Sequence, residues 1–368
     1  MVFRHFLKMH GRAVALACVV APLGAWAQTP PAPAAVDWRS ANDAVGQFKR
    51  GHIDLFKWER ANLPPEPVAA AEPAGLALPS VQDAVRLAWR AHPDLAEVQN
   101  RLGRANLDLI AEGRWAEIDI GLQRRVDDMG ELLEVAAEAR KAWVEAVAAA
   151  QVVRWRQTSM DSADAAHDLG QRMVGVGNWG AMEGRHVQLA LISARMDLRR
   201  AQVAAAQSQL ALLQTMRLAN ARARVHLPEA LTGVPAQAMD TPALDERVNR
   251  LRAQLPVAAA GFLKTSAGMA YEVYRTSHAL ALDSAQALDL RKRNSQEIGL
   301  QYNGMLASVW DVLGDARDVA QAQIDAIEAQ RDFWLAETDL QWVLQGGGPA
   351  RLVSLAGGGG EAAAAGGH

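Results

Sequence analysis

The residues that could carry chemistry in this 368-residue chain are few and far apart. Past residue 27 the histidines are His52, His92, His167, His186, His226, His278 and His368, with no two at i, i+4 and no cysteine to join them. The usual tetrahedral zinc ligand sets have nothing to form from. Thioethers suit Cu(I), but Met160, Met173, Met182, Met196, Met216 and Met269 are spread along helical runs, where a flexible apolar side chain fills core gaps. Gly175-Val176-Gly177-Asn178-Trp179-Gly180 matches a phosphate loop in glycine count alone, with no strand before it and no lysine to close it. Asp127, Asp128 and Glu131 are read as the acidic start of a helix, opposing its macrodipole. The sequence therefore predicts no catalytic residue, no metal site and no cofactor, and points away from an enzyme.

What the chain has instead is helical pattern of unusual length. One run turns at Val176, Gly177 and Asn178 and continues to about Arg224; another turns at Asn303, Gly304 and Met305 and continues to about Leu344. Each turn follows a run of similar length, Glu131 to Met173 and Phe262 to Tyr302. The predicted fold is all-α, with two tandem long antiparallel coiled-coil hairpins. A helix of about 44 residues spans roughly 65 Å, more than a small domain is wide, so it must bury itself along its length.

Heptad rows show which faces do so. Leu189, Met196, Val203 and Leu210 lie seven apart, with Ile192, Ala206 and Leu213 interleaved and Arg199 interrupting. Leu191, Leu198, Ala205 and Leu212 form a second row on the same helix, about 200° away. The last helix repeats this, with Leu306, Leu313, Ala320, Ile327 and Trp334 in one row and Val312, Val319, Ala326, Phe333 and Leu340 in another. Two seams per helix suit a sheet or cylinder of helices, and a monomeric helical bundle stays open as the alternative. Trp143, Trp155 and Trp334 are read as seam or core residues. Arg154 with Arg156, and Arg199 with Arg200, are read as solvated faces or interchain ion pairs.

Arg4, Lys8 and Arg12 precede an apolar run from Ala13 to Ala21, and Ala25-Trp26-Ala27 has the form of a cleavage site. Residues 1–27 are expected to be a signal peptide, with the mature chain beginning at Gln28. Cleavage would remove the only cysteine, Cys18, together with three basic residues and no acidic ones, taking the formal charge from −3 to −6. No basic surface for nucleic acid is expected, and no later segment has the 18 consecutive apolar residues of a helical membrane span. Residues 28–79 read as an N-terminal extension and Pro/Ala-rich linker, in which Trp38, Phe48, Phe56 and Trp58 are expected to dock on the helical body. The first helical repeat is assigned to 80–225, a second linker to 226–243, the second repeat to 244–345 and a disordered Gly/Ala-rich tail to 346–368. Ser80 is the expected N-cap of the opening helix, with Asp83 at its N3 position, and His92-Pro93 breaks it before it resumes from Asp94 to about Glu112.

Val176-Gly177 followed by Glu183, and Tyr302-Asn303-Gly304 followed by Asp311-Val312-Leu313, place an acidic residue a few positions after each turn. With the run to Ala329-Gln330-Arg331-Asp332-Phe333-Trp334-Leu335, and with Ala88, Pro93 and Leu95 in the opening helix, the chain over 80–345 resembles the TolC-type outer-membrane efflux factors. That resemblance implies a homotrimer forming a twelve-helix tunnel, exported to the periplasm and outer membrane of a Gram-negative bacterium. It further implies that Val176, Gly177, Asn178, Asn303, Gly304 and Met305 form tips that meet a periplasmic membrane-fusion adaptor linked to an inner-membrane pump.

The sequence departs from that family where the β-barrel strands belong. Only Ala116 to Leu122 alternates in polarity between Glu112 and Glu131, short of the 9–11 residues a membrane strand needs; one short strand or a helical turn with a loop are both compatible with it. Asp245 to Leu255 leads through Pro256 into the next helix with no alternation at all. In the first tip, Gly180 and Gly184 sit where helix formers are expected. Two functions remain open: a passive conduit and assembly partner in envelope efflux, or a soluble periplasmic coiled-coil structural or adaptor-binding protein that kept the hairpins and lost the pore.

Overall fold

A computed structural model of the chain describes residues 75–119, 121–126, 128–218, 225–253 and 257–348. The chain divides into two compact units, Met1–Ala71 and Glu72–His368, and every described residue belongs to the second. The signal peptide, the extension up to residue 74, Asp127 and the tail from residue 349 lie outside the described residues.

Ser80 caps α1 (Val81–Arg90): its hydroxyl accepts from the Asp83 N–H at 3.3 Å and donates to the Asp83 carboxylate at 2.5 Å. His92-Pro93 ends that helix, as Pro93 supplies no N–H. The next, α2 (Ala96–Glu112), is itself broken at Gly103, whose φ of 73° and ψ of 158° are open to glycine alone. The alternating segment that could have been a strand is a 3-10 turn at Trp115–Glu117, followed by the single helical turn α3 (Leu122–Arg125). Trp115 explains the choice, because its ring is fully buried and its Nε1 donates to the Ile110 carbonyl at 2.7 Å.

Four long helices make the body. The first hairpin is α4 (Met129–Gly175, 47 residues) and α5 (Ala181–Thr215, 35 residues). After the short α6 (Thr241–Arg252), the second is α7 (Val257–Asn303, 47 residues) and α8 (Val309–Val343, 35 residues). At 1.5 Å per residue the longer arms reach about 70 Å. The sequence expectation that the second arm continues to about Arg224 is corrected: α5 stops at Thr215. Arg217 there takes a left-handed φ of 51°, and Leu218 N–H closes back on the Leu213 carbonyl at 2.8 Å, a Schellman-type stop.

Within each hairpin the arms pack together, and α4 also packs along α8. The helices thus form a row, α5–α4–α8–α7, with α4 and α8 inside. Alanines at 136, 139, 142, 146 and 148 are buried on α4 and let its neighbours approach closely. Two apolar clusters fill the end away from the tips: one joins α1, α2 and α4 around Leu132, Leu133 and Trp143; the other joins α6, α7 and α8 around Tyr274, Phe333 and Leu340.

Two connections read as linkers are tied to the helices over their described residues. Residues 76–77 form β1 (Leu76–Ala77), which pairs in parallel with β2 (Val225–His226); these are the only strands among the described residues. Leu78 is then fully buried and takes the Trp143 Nε1–H on its carbonyl at 3.1 Å. The segment after β2 is strapped across the helices, with Trp334 Nε1 and Gln330 donating to the Thr232 carbonyl at 2.9 and 2.6 Å, and Tyr271 and Tyr274 bonding the Met239 backbone at 3.0 Å.

Candidate functional site

The geometry that could serve a function lies on three surfaces: the tips, the outer faces of the row, and the junction of the repeats.

Both tips have one backbone design. In the first, Gly177 N–H donates to the Val174 carbonyl and Asn178 N–H to the Met173 carbonyl, at 3.0 and 2.9 Å. In the second, Met305 N–H donates to Tyr302 and Leu306 N–H to Gln301, at 3.0 and 2.8 Å. Each is a Schellman turn whose left-handed position follows the helix end. Gly177 fills it with φ 79°, but in the second tip it falls on Met305, with φ 59°, and not on Gly304. Non-glycine residues pay about 1–2 kcal/mol in that conformation. Met305→Gly is therefore expected to raise stability by about 1 kcal/mol and Gly177→Ala to lower it by a similar amount, read from thermal unfolding.

The expected tip residues all lie at the two turns: Asn303 ends α7, Val176 follows α4, and Gly177, Asn178, Gly304 and Met305 are exposed. Met305 is 93% exposed and Leu306 83%, so the strained position displays an apolar side chain. Past the second turn, Ser308 and Asp311 form a full capping box for α8. The first tip has Gly180 at that position with no side-chain cap. Gly184 is explained by close approach, since a Cβ there would stand 2.9 Å from Val174. Sequence reasoning missed the contact that joins the tips: Trp179 and Trp310 stack with ring centroids 4.5 Å apart and planes at 26°. Trp179 lies two residues past Gly177 and Trp310 six past Gly304, so no common spacing marked the pair in the sequence.

The outer faces carry the second surface. On α5, Leu191, Leu198 and Leu212 are buried against α4, whereas the other predicted row stands in the open: Leu189 65%, Met196 45%, Val203 57% and Leu210 47% exposed. On α7, Phe262, Met269 and Leu280 are exposed at spacings of seven and eleven, which keep one face of a helix. From Ala320 onward both rows of α8 are buried or half-buried, as befits an inner helix.

At the repeat junction, antiparallel α4 and α8 are tied by polar pairs. Lys141 is paired with the buried Asp339, Arg140 contacts Glu337 at 3.4 Å, Arg156 donates to Gln321 at 3.0 Å, and Ser162 donates to the Leu313 carbonyl at 2.8 Å. Arg154 is exposed, as read for a solvated face, and bonds the Glu229 carbonyl as well, whereas Arg156 is half-buried and crosses to α8. Burial pushes the Glu337 carboxyl above its ordinary 4.5, with the Arg140 guanidinium opposing. The fold thus disfavours its charged form: what Glu337 contributes to stability is complete below pH 4.5 and is lost as the pH rises through its folded value. Glu337→Gln should raise the melting temperature at pH 7, and the gain should vanish by pH 4, as followed by circular dichroism.

Among the described residues no group of three or more His, Cys, Asp or Glu side chains is placed to hold a metal ion, and no helix is long and apolar enough to cross a membrane.

What fold and surfaces define together is an all-α protein of two tandem helical hairpins, apolar at the tips and along its outer edges. No family model matches the chain, and no curated protein matches it. Among solved structures it is similar to a crystal structure of CusC, from work on the conformational changes that accompany folding and transmembrane channel formation in that protein. The likeness has 11% identity and a TM-score of 0.43, and covers 73% of this chain and 92% of that one. A likeness of that extent leaves the functional reading to the geometry.

Proposed function

We propose that this chain is a component of an envelope efflux system that assembles with copies of itself into a helical conduit. The observation that carries the reading is the pair of uncovered apolar faces on the outer helices. Two different edges, α5 on one side and α7 on the other, make a head-to-tail contact, and such contacts close into rings when the rotation permits. The resemblance to the efflux factors supplies three as the number, with an exported, periplasmic and outer-membrane setting. The apolar tips are then the surface for a periplasmic adaptor and its inner-membrane pump. Nothing in this reading calls for catalysis or a cofactor.

A second reading has an observation of its own. At the end away from the tips, where strands would leave the helices, the chain instead makes the tight Trp115 turn. Arg247 and Gln345 both donate to the Trp115 carbonyl, at 2.8 and 2.6 Å. That closure favours a periplasmic coiled-coil protein without a pore of its own. Absolute mass by light scattering, with and without detergent, separates the two. A trimer that needs detergent supports the conduit, a detergent-independent monomer or dimer supports the second reading, and catalytic turnover would sink both.

A further inference from the structure

Where α1 and α4 meet α8 and the strap, the structure encloses a half-open cavity of about 150 Å³. A void of about that size accommodates one six-membered aromatic ring. Two of its walls are indoles, Trp143 and Trp334, and neither is free to turn. The Trp143 Nε1–H is held by the Leu78 carbonyl at 3.1 Å and that of Trp334 by the Thr232 carbonyl at 2.9 Å. The walls are therefore set before any ligand arrives, which reduces the ordering cost of binding.

The same cavity is lined by Arg140, whose side chain is 7% exposed. Its hydrogen bonds to the Ala111 carbonyl and to Glu337 are both 3.4 Å long, whereas charge-assisted N–H···O bonds settle near 2.7–2.9 Å. A buried guanidinium with only stretched bonds can take a closer acceptor. Gly113 leaves room for it, because a Cβ at that position would lie 2.4 Å from Arg140 Nη2. The one lining carboxylate, Glu112, is engaged by Arg114 at 3.0 Å. Gln82 and Thr232 line the cavity as well and offer neutral donors.

We propose that this cavity binds a small aromatic carboxylate, with its ring between Trp143 and Trp334 and its carboxylate on Arg140. The ligand would touch helices of both repeats at once and so brace their junction. This site does not depend on the conduit reading, because it is complete within one chain.

The test is calorimetric titration and thermal unfolding of the full chain with benzoate, benzylamine and toluene as probes. Benzoate should bind saturably with a Kd of about 1 mM and raise the melting temperature, while benzylamine does neither and toluene binds at least roughly tenfold more weakly. Arg140→Leu should abolish benzoate binding. Since that change also strips Glu337 of its ion pair and can compromise folding, Val81→Phe serves as a second variant that fills the cavity and leaves the charges alone. It too should remove the benzoate signal while helical circular dichroism persists. Absence of saturable benzoate binding, equal binding of benzylamine or toluene, or wild-type benzoate affinity in Val81→Phe would each overturn the proposal.

Discussion

On the proposed conduit reading, Met196→Glu combined with Val203→Glu on α5 is expected to reduce the assembly to single chains without unfolding them. Both side chains belong to the row that faces away from α4, at 45% and 57% exposure, so neither supports the hairpin itself. Burying such side chains between copies is worth about 1.5–3 kcal/mol each, and a carboxylate forced into that contact adds a desolvation cost of several kcal/mol. At 1.4 kcal/mol per decade the two changes weaken assembly by roughly four orders of magnitude or more. The contrast is Leu198→Ala on the covered row, which should cost about 2–4 kcal/mol of stability and leave the outer face intact. Light scattering over a concentration series reads the first effect and denaturant unfolding the second. If the double variant keeps the wild-type mass, the exposed row is not the assembly surface and the conduit reading loses its carrying observation.

Lys141→Met should cost about 3 kcal/mol of stability, or a fall of roughly 10 °C in melting temperature. Lys141 is the cation paired with Asp339, whose side chain is 2% exposed between the two repeats. Removing the ammonium while the carboxylate stays buried exposes the desolvation cost that the pair had offset. Lys141→Met with Asp339→Leu should recover most of the loss, because an apolar pair of similar volume suffers no such penalty. The physical point is register: α4 and α8 share long, alanine-rich faces that would pack in several alignments, and a lysine on a buried carboxylate is satisfied in a single one. A double variant as destabilised as the single would show that the aspartate, rather than the pairing, supports the fold.

Much of this architecture was legible in the residues, since heptads of Leu, Met and Val with no proline admit long helices and little else. The two seams on α5 were readable, as was the Ser80 cap. Which seam faces inward was not, because Leu191 and Leu189 are equally apolar and only the position of α4 decides between them. The left-handed backbone at Met305 was hidden for a different reason. The neighbouring Gly304 carries the usual signal for that conformation, yet the hydrogen bonds of the turn place it one residue later. The break at Gly103 was missed because an isolated glycine inside a helical pattern is tolerated more often than it is used. The strap over Thr232 and Met239 escaped notice because its partners are backbone carbonyls and N–H groups, which sequence does not distinguish. Of the candidate surfaces, the tips were found by their glycines, whereas the Trp179–Trp310 stack and the polar pairs between α4 and α8 join residues more than 130 positions apart.

The two hairpins have arms of matching size, 47 and 35 residues each, and that equality restricts how such a chain can change length over evolution. Seven residues added to α4 alone would carry the first tip roughly 10 Å past the second, parting Trp179 from Trp310. They would also shift Arg156 and Ser162 off their partners on α8. A shorter insertion would rotate the apolar rows as well as displace them. Longer or shorter descendants of this design are thus reachable only by whole heptads gained or lost in all four arms together, so a deletion in one repeat forecasts its counterpart in the other.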